Sequence, residues 1–235
     1  MKLGLLQCDD VSEALQAQQG NYPEMFETLL RQRLPGMDYQ VYRVPDGVLP
    51  SSVDECDVYL STGSKFGVND GLPWIAELEA FVVKLWEAGK PLVGICFGHQ
   101  LMAKALGGEV HKSPKGWGIG LSFNDVLVNK PWMQPARDSL DLIVSHQDQV
   151  VRLPPQAEIL GRSDFCPYYL LQYGEHFMSV QGHPEFCKAF SHELMDSRRD
   201  ALPAARYRAG KASLSADVNG GLMLDWIVNF LQQNH

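Results

Sequence analysis

The residues whose types and spacing are best suited to chemistry are those of Gly94-Ile95-Cys96-Phe97-Gly98-His99-Gln100. An apolar stretch, Pro91 to Ile95, runs into a helical pattern through a turn that holds a thiol between two glycines. This G-x-C-x-G arrangement is the cysteine form of a nucleophile elbow, in which a sharp strand-to-helix turn pushes the central side chain outward. Side chains at the flanking positions would collide with the strand and the helix, so both are glycine. The turn sets Cys96 at a helix N-terminus, where the dipole favours a thiolate. The backbone N–H of Phe97 then points where an oxyanion would form. A thiol nucleophile needs a base, and the base needs an orienting acceptor. Gln181-Gly182-His183-Pro184-Glu185-Phe186 offers both, with the imidazole of His183 and the carboxylate of Glu185 two positions apart and Pro184 stiffening the link. His99 and His176 read as structural, with no ligand spacing that suggests a metal.

Positioning these groups requires a frame, and the hydrophobic pattern supplies one. Lys2 to Cys8 reads as a buried strand, Tyr22 to Leu34 as a helix stopped by Pro35-Gly36, and Tyr39 to Val44 and Asp57 to Leu60 as strands. Leu72 to Ala88 carries Trp74, Ile75, Leu78, Phe81, Val82, Leu85 and Trp86 on one stripe, an amphipathic helix with Gly89 just past its end. Pro91 to Ile95 is a strand and Phe97 to Leu106 a helix. Strands alternating with helices imply βαβ units and a parallel sheet covered on both faces. From Glu109 to Val180 the pattern changes to short strands (Gly118–Val128, Leu140–Val144, Glu158–Gly161, Tyr168–Gln172, Phe177–Val180), which suggests an antiparallel extension of the same sheet. Helical pattern returns from Phe186, and Leu222 to Leu231 is a C-terminal helix. The Ala/Arg/Ser/Gly-rich segment Pro203 to Ser215 between them reads as a loop or mobile segment.

The 235 residues carry 20 Lys and Arg against 28 Asp and Glu, a net charge of −8. That balance argues against nucleic-acid or anionic-membrane partners, which select a basic face. No apolar run approaches the ~20 residues of a membrane span; the best stretch, Phe81 to Cys96, is broken by Lys84, Glu87 and Lys90. The N-terminus turns acidic at Asp9-Asp10 before a signal-peptide core can form. A cytoplasmic location is therefore expected. The five cysteines (Cys8, Cys56, Cys96, Cys166, Cys187) show neither a disulfide framework nor a C-x-x-C motif. With no internal repeat and no linker, residues 1–235 are expected to form a single domain.

Gly94-x-Cys96-x-Gly98-x-Gln100 followed by His183-Pro184-Glu185 resembles the class I (triad) glutamine amidotransferase family, over residues 2 to about 195. The resemblance implies an α/β fold with an open, mostly parallel, flavodoxin-like sheet flanked by helices. It implies that Cys96 attacks a γ-carboxamide to give a γ-glutamyl thioester, that His183 is the acid/base and that Glu185 orients it. The family's oxyanion loop corresponds here to Ser61-Thr62-Gly63-Ser64, in place of Gly-Gly-Pro or Asn-Gly-Pro, making the N–H of Gly63 the second donor beside Phe97. Ser145-His146-Gln147-Asp148-Gln149-Val150 resembles the family's S-H-x-D-x-V segment. With Gln100, its Ser145 and His146 are the implied contacts to the α-amino and α-carboxylate groups of the substrate. Ser113 to Gly120 resembles the ligand-side loop; Trp117 within it fits equally as a core aromatic. No cofactor and no metal are implied. The catalytic core is then about 2–195 with a helical tail of about 196–235, and the roughly fifty residues past Phe186 are expected to be too short for an ATP-pyrophosphatase or synthase domain. There is no G-x-x-x-x-G-K-[ST] phosphate loop either, so any ammonia acceptor would be bound by a separate synthase chain. The likeness is strongest to stand-alone proteins similar to the glutaminase half of GMP synthase and to γ-glutamyl peptidases. Hydrolysis of glutamine to glutamate and ammonia is the expected activity, with γ-glutamyl peptides of the glutathione type as the alternative substrate. A non-catalytic binding or regulatory subunit is a third reading.

Overall fold

The computed structural model describes residues 1–233. Its first half alternates as the periodicity requires: β1 (Lys2–Gln7), α1 (Glu13–Gln19), α2 (Tyr22–Arg31), β2 (Asp38–Arg43), β3 (Val58–Ser61), α3 (Pro73–Glu87), β4 (Leu92–Ile95) and α4 (Phe97–Ala105). Helix α2 starts at a capping box, in which the Asn21 side chain caps the helix and the Asn21 N–H donates to Glu24 at 3.0 Å. It buries Tyr22, Met25, Phe26 and Leu30 along one stripe. Helix α3 begins at Pro73, which needs no N–H partner there, and stops before Gly89, whose φ of 67° a side chain would resist.

The second half contains β5 (Glu109–Lys112), β6 (Gly118–Ser122), β7 (Asp125–Val126), β8 (Leu142–His146), β9 (Asp148–Arg152), β10 (Ala157–Arg162), β11 (Leu170–Tyr173), β12 (Phe177–Val180), α5 (Lys188–Ser197), α6 (Ala204–Ser213) and α7 (Gly220–Gln233). The main sheet runs β2-β1-β3-β4-β12-β11-β10-β7. Strands β2, β1, β3, β4 and β12 are parallel, and β11, β10 and β7 extend them antiparallel. The parallel part has the flavodoxin-like order, in which the chain changes direction across the sheet between β1 and β3, and ligands bind beyond the carboxyl ends of the strands. Buried apolar side chains fill both faces. Leu3 and Leu5 of β1 point into a cluster with α2 and α7, while Leu6 packs with α3 and α4. Among the described residues no helix is long and apolar enough to cross a membrane.

Four features differ from the sequence expectation. The antiparallel extension is shorter, because β6 pairs only with β8 and β5 only with β9, as two separate ladders. Strand β12 sits inside the parallel part beside β4, and its four residues, Phe177 to Val180, are all buried, as a strand covered on both faces demands. The expected strand over 118–128 breaks at Asn124, whose side chain donates to the carbonyls of Ser122 and Leu140. Residues 203–215, expected as a loop or mobile segment, contain α6. This helix is rich in the good formers Ala, Arg and Lys, yet Gly210 is its one buried residue, so it carries no apolar stripe for periodicity to detect.

Candidate active site

The geometry begins at the carboxyl ends of β3, β4 and β12. Cys96 has φ 52° and ψ −95°, and it is the one non-glycine residue with positive φ among the described residues. Such a conformation costs about 1–3 kcal/mol and persists only where its surroundings enforce it. Here the Cys96 N–H donates to the Val180 carbonyl at 2.9 Å, while the Cys96 carbonyl accepts from Gln100 N–H to open α4. A Cβ at Gly94 would lie 2.4 Å from Met102 Sδ and 2.7 Å from the Gly98 backbone; one at Gly98 would lie 2.8 Å from Ser61 Oγ. The elbow therefore requires glycine on both sides of Cys96.

His183 leaves β12 after Gln181 and Gly182, and its N–H is pinned to the Ile143 carbonyl at 2.8 Å. Its Nδ1 lies 2.7 Å from Glu185 Oε1, and both side chains are shielded from solvent. Phe186 stacks on the imidazole at 4.0 Å with the planes 2° apart, and Tyr22 and Phe190 hold Phe186 in turn. Burial alone would drive the imidazole toward its neutral form. The charge of Glu185, followed by that of Cys96 and the hydrogen bond to Glu185, outweighs burial and pushes the His183 pKa up to about 10. Glu185 Oε2 has no hydrogen-bond partner among the described residues. A buried carboxylate short of donors is costly, and a protonated His183 beside it offsets part of that cost.

Cys96 opens into a cleft of about 420 Å³ whose wall includes Phe97, Gln100, Ser145, His146, Asp148, Trp117 and Arg198. Gly63 sits just behind this wall, with its neighbour Ser64 on it. A Cβ at Gly63 would lie 2.7 Å from His183 Cε1 and in ordinary contact, 3.6 Å, with Cys96 Cβ, so this loop needs glycine to pass the imidazole. The loop is tied to the exit of β1 by Cys8 N–H to Thr62 Oγ1 at 3.0 Å and Lys65 N–H to Asp9 Oδ2 at 2.8 Å. Gln100 is committed to the frame: its Nε2 donates to the Asp148 carbonyl at 2.8 Å and to Gln181 Oε1 at 3.1 Å. His146 Nδ1 lies 3.0 Å from the Asp148 carbonyl, and burial pushes its pKa down to about 4. Ser145 Oγ accepts from Arg198 at 2.7 Å. His99 is buried behind the elbow with Nδ1 2.8 Å from Ser179 Oγ, and burial pushes its pKa down to about 3. His176, in the turn just before β12, stacks on Trp86.

Three residues of this site escaped the sequence reading. Gln181 reaches Cys96 Sγ at 3.5 Å and Gln100 at once; it stood in the quoted segment, but a glutamine carries no catalytic signature. Phe186 fixes the plane of His183, a role only the fold discloses. Arg198 lies in the tail, outside any motif.

The chain matches the family model described as glutamine amidotransferase class-I over residues 67–196. The chain belongs to the class I glutamine amidotransferases. Relatives of this amidotransferase include gamma-glutamyl peptidase 3 of Arabidopsis thaliana, 32% identical over 83% of this chain and 80% of that protein. Another is the glutamine-hydrolysing GMP synthase of Aeropyrum pernix, 31% identical over 58% of this chain and 27% of that protein. A solved glutamine amidotransferase from Methylobacillus flagellatus superposes with a TM-score of 0.78 at 21% identity, covering 99% of this chain and 94% of that one. As in the relatives named peptidases, the amidotransferase fold here is that of a hydrolytic enzyme. The matched span includes Cys96, Gln100, Ser145, His146, His183 and Glu185 but ends before Arg198.

Proposed function

We propose that this amidotransferase hydrolyses γ-glutamyl amides through a thioester on Cys96. The observation that carries the reading is one chain of neighbours: a thiol held outward by a strained elbow, beside it an imidazole that borders the same Gly63, and a buried carboxylate that holds the imidazole at 2.7 Å. Cys96 Sγ attacks the γ-carbonyl carbon, and the oxyanion draws on the N–H groups of Phe97 and Gly63. The C–N bond breaks as His183 gives its proton to the leaving nitrogen. Water, deprotonated by the same imidazole, then attacks the thioester, releasing glutamate and the free thiol. Glu185 keeps the imidazole in the tautomer and orientation both steps need. Gln100, Ser145 and His146 shape the pocket for the glutamyl group, Gln100 by bracing the wall from within. No step uses a metal or cofactor.

Glutamine and γ-glutamyl peptides present the same bond to this machinery. The likeness to the peptidase extends over 83% of the chain against 58% for the GMP synthase, which supports the peptide as a substrate beside the expected glutamine. A separate synthase chain is needed only if the ammonia is to be used. Incubation with each amide, followed by mass spectrometry of the intact protein, tests the mechanism. A γ-glutamyl adduct on wild-type protein is expected, absent from a folded Cys96→Ala variant, whose hydrolysis is abolished. Retention of more than a few per cent of activity by that variant would refute the assignment. A Cys96 that stays unreactive toward a glutamine-like chloroketone would favour a binding subunit.

A further inference from the structure

We propose that Arg198 holds a carboxylate carried by the leaving group, so that this site selects γ-glutamyl amides whose departing amine is itself an acid. The proposal rests on the γ-glutamyl hydrolysis inferred above and adds the residue that reads what lies beyond the scissile nitrogen.

Position is the first argument. Besides the cleft at Cys96, a second chamber of about 150 Å³ lies against His183, lined by Tyr22, Leu15, Phe186 and Phe190. Cys96 faces only the cleft and His183 only the chamber, and four residues border both: Ser64, Lys65, Ser145 and Arg198. A scissile amide must lie between the sulfur and the imidazole. Its carbonyl side therefore occupies the cleft, and its nitrogen, which takes the proton of His183, departs on the chamber side. Ammonia is a single heavy atom, and a molecule of that size fills about 30 Å³. The chamber has room for a leaving group several times larger.

Charge is the second. The cleft away from this divide holds Asp70, Asp148 and Lys112, close enough for the charges to act on one another, and Asp148 Oδ1 is buried there with no hydrogen-bond partner among the described residues. That end suits the ammonium and carboxylate of a glutamyl group. At the divide, Lys65 is neutralised by Asp9 at 3.1 Å. Arg198 has no carboxylate within ion-pair distance among the described residues. Its one side-chain partner is the neutral Ser145 Oγ, and its guanidinium lies 6.0 Å over the Trp117 ring. A half-buried guanidinium whose remaining donors face a cavity, in a chain of net charge −8, is a site for an anion. Ser145 and Trp117 already fix the fork, which lowers the entropy lost on binding.

The test compares kcat/KM for γ-glutamyl-cysteinyl-glycine, the same peptide with a C-terminal carboxamide, and glutamine, using wild type, Arg198→Gln and Arg198→Lys. Retained folding is checked by thermal melting. Loss of a charge-assisted hydrogen bond is worth about tenfold or more. Amidating the peptide should therefore cost the wild type about tenfold, and Arg198→Gln should abolish that difference, so that its loss on the acid exceeds its loss on the carboxamide by about the same factor. Lysine at 198 should recover part of the loss. Glutamine hydrolysis should also fall in either variant, because Ser145 loses the guanidinium that holds it, but by a smaller factor than hydrolysis of the acid peptide. Equal losses on glutamine and peptide would assign Arg198 to the substrate's own α-carboxylate and overturn the proposal, as would a wild type indifferent to the carboxamide. A wild type that hydrolyses none of the three removes the underlying reading and this proposal together.

Discussion

Gly63 and Phe186 control the catalytic geometry as tightly as the triad itself. Gly63 passes His183 with no room for a methyl group, so Gly63→Ala must displace either the loop or the imidazole. Misplacement of about 1 Å can cost 10²-fold in rate, and a loss of that order in kcat is expected. The melting temperature should stay within a few degrees, because the strain relaxes into the open cleft. Full activity in Gly63→Ala would show that the loop lies off the reaction path. Phe186→Ala should behave differently: removing the ring that faces His183 at 4.0 Å frees the imidazole to rotate about its bond to Glu185. The expected result is a lower kcat with KM nearly unchanged, measured on either amide. At this scale the sequence disclosed residues whose chemistry is rare enough to speak for itself: a thiol between glycines, and an imidazole beside a carboxylate. It concealed Gln181, Phe186 and Arg198, whose roles arise from contacts across 85, 3 and 53 positions respectively, with Cys96, His183 and Ser145 as partners.

Elements bring the second test, through histidines buried against them. His99, at the start of α4, and His146, at the end of β8, are both held neutral by burial, with pKa values near 3 and 4 against 6.5 in the unfolded chain. Above pH 6.5 both are unprotonated whether folded or not, and neither affects stability. Below it the unfolded chain takes up protons that the native state refuses, so stability falls as pH falls, by up to ~1.4 kcal/mol per pH unit for each histidine. His183 works in the opposite sense. Its raised pKa contributes stability that is complete below pH 6.5 and is lost as pH rises through about 10. Between pH 6.5 and 4.5 it therefore adds no slope. Denaturant unfolding at pH 6.5, 5.5 and 4.5 should show His146→Gln with a shallower decline than wild type by about that single-histidine amount. Parallel curves would mean that His146 titrates freely in the native state. The elements themselves were largely legible, because α2, α3 and β1 bury regular stripes. Helix α6 was not, since it docks by backbone: Gly120 has φ 77° on β6, and a Cβ there would lie 2.4 Å from the Gly210 carbonyl. Close approach of two glycines leaves no hydrophobic period to read.

For the whole molecule, the question is whether the tail beyond the matched span is an appendage or part of the enzyme. Helix α7 buries Met223, Leu224, Trp226, Ile227, Phe230 and Leu231 almost completely. Trp132 packs edge-on against both Trp226 and Phe230, while the indole N–H of Trp226 donates to the Pro135 carbonyl at 3.0 Å. Asn219 exchanges two hydrogen bonds with Asp141 at the helix entrance, and Arg33 of the turn after α2 pairs with Asp225 at 2.6 Å. Burial of six large apolar side chains at about 1.5–3 kcal/mol each amounts to ~9–18 kcal/mol, comparable to the ~5–15 kcal/mol net stability of a typical domain. Helix α7 is therefore part of the packed core. A chain ended after Ala216 keeps every residue of the triad, the elbow and the cleft, Arg198 included. It should nevertheless aggregate or melt without cooperativity, and its activity should vanish with its fold. Asp225→Ala, which removes one part-buried ion pair and leaves the apolar face intact, should cost about 1 kcal/mol and leave activity unchanged. Recovery of the 1–216 chain as a monomer that melts within a few degrees of the full chain would show that α7 merely covers a core already complete without it.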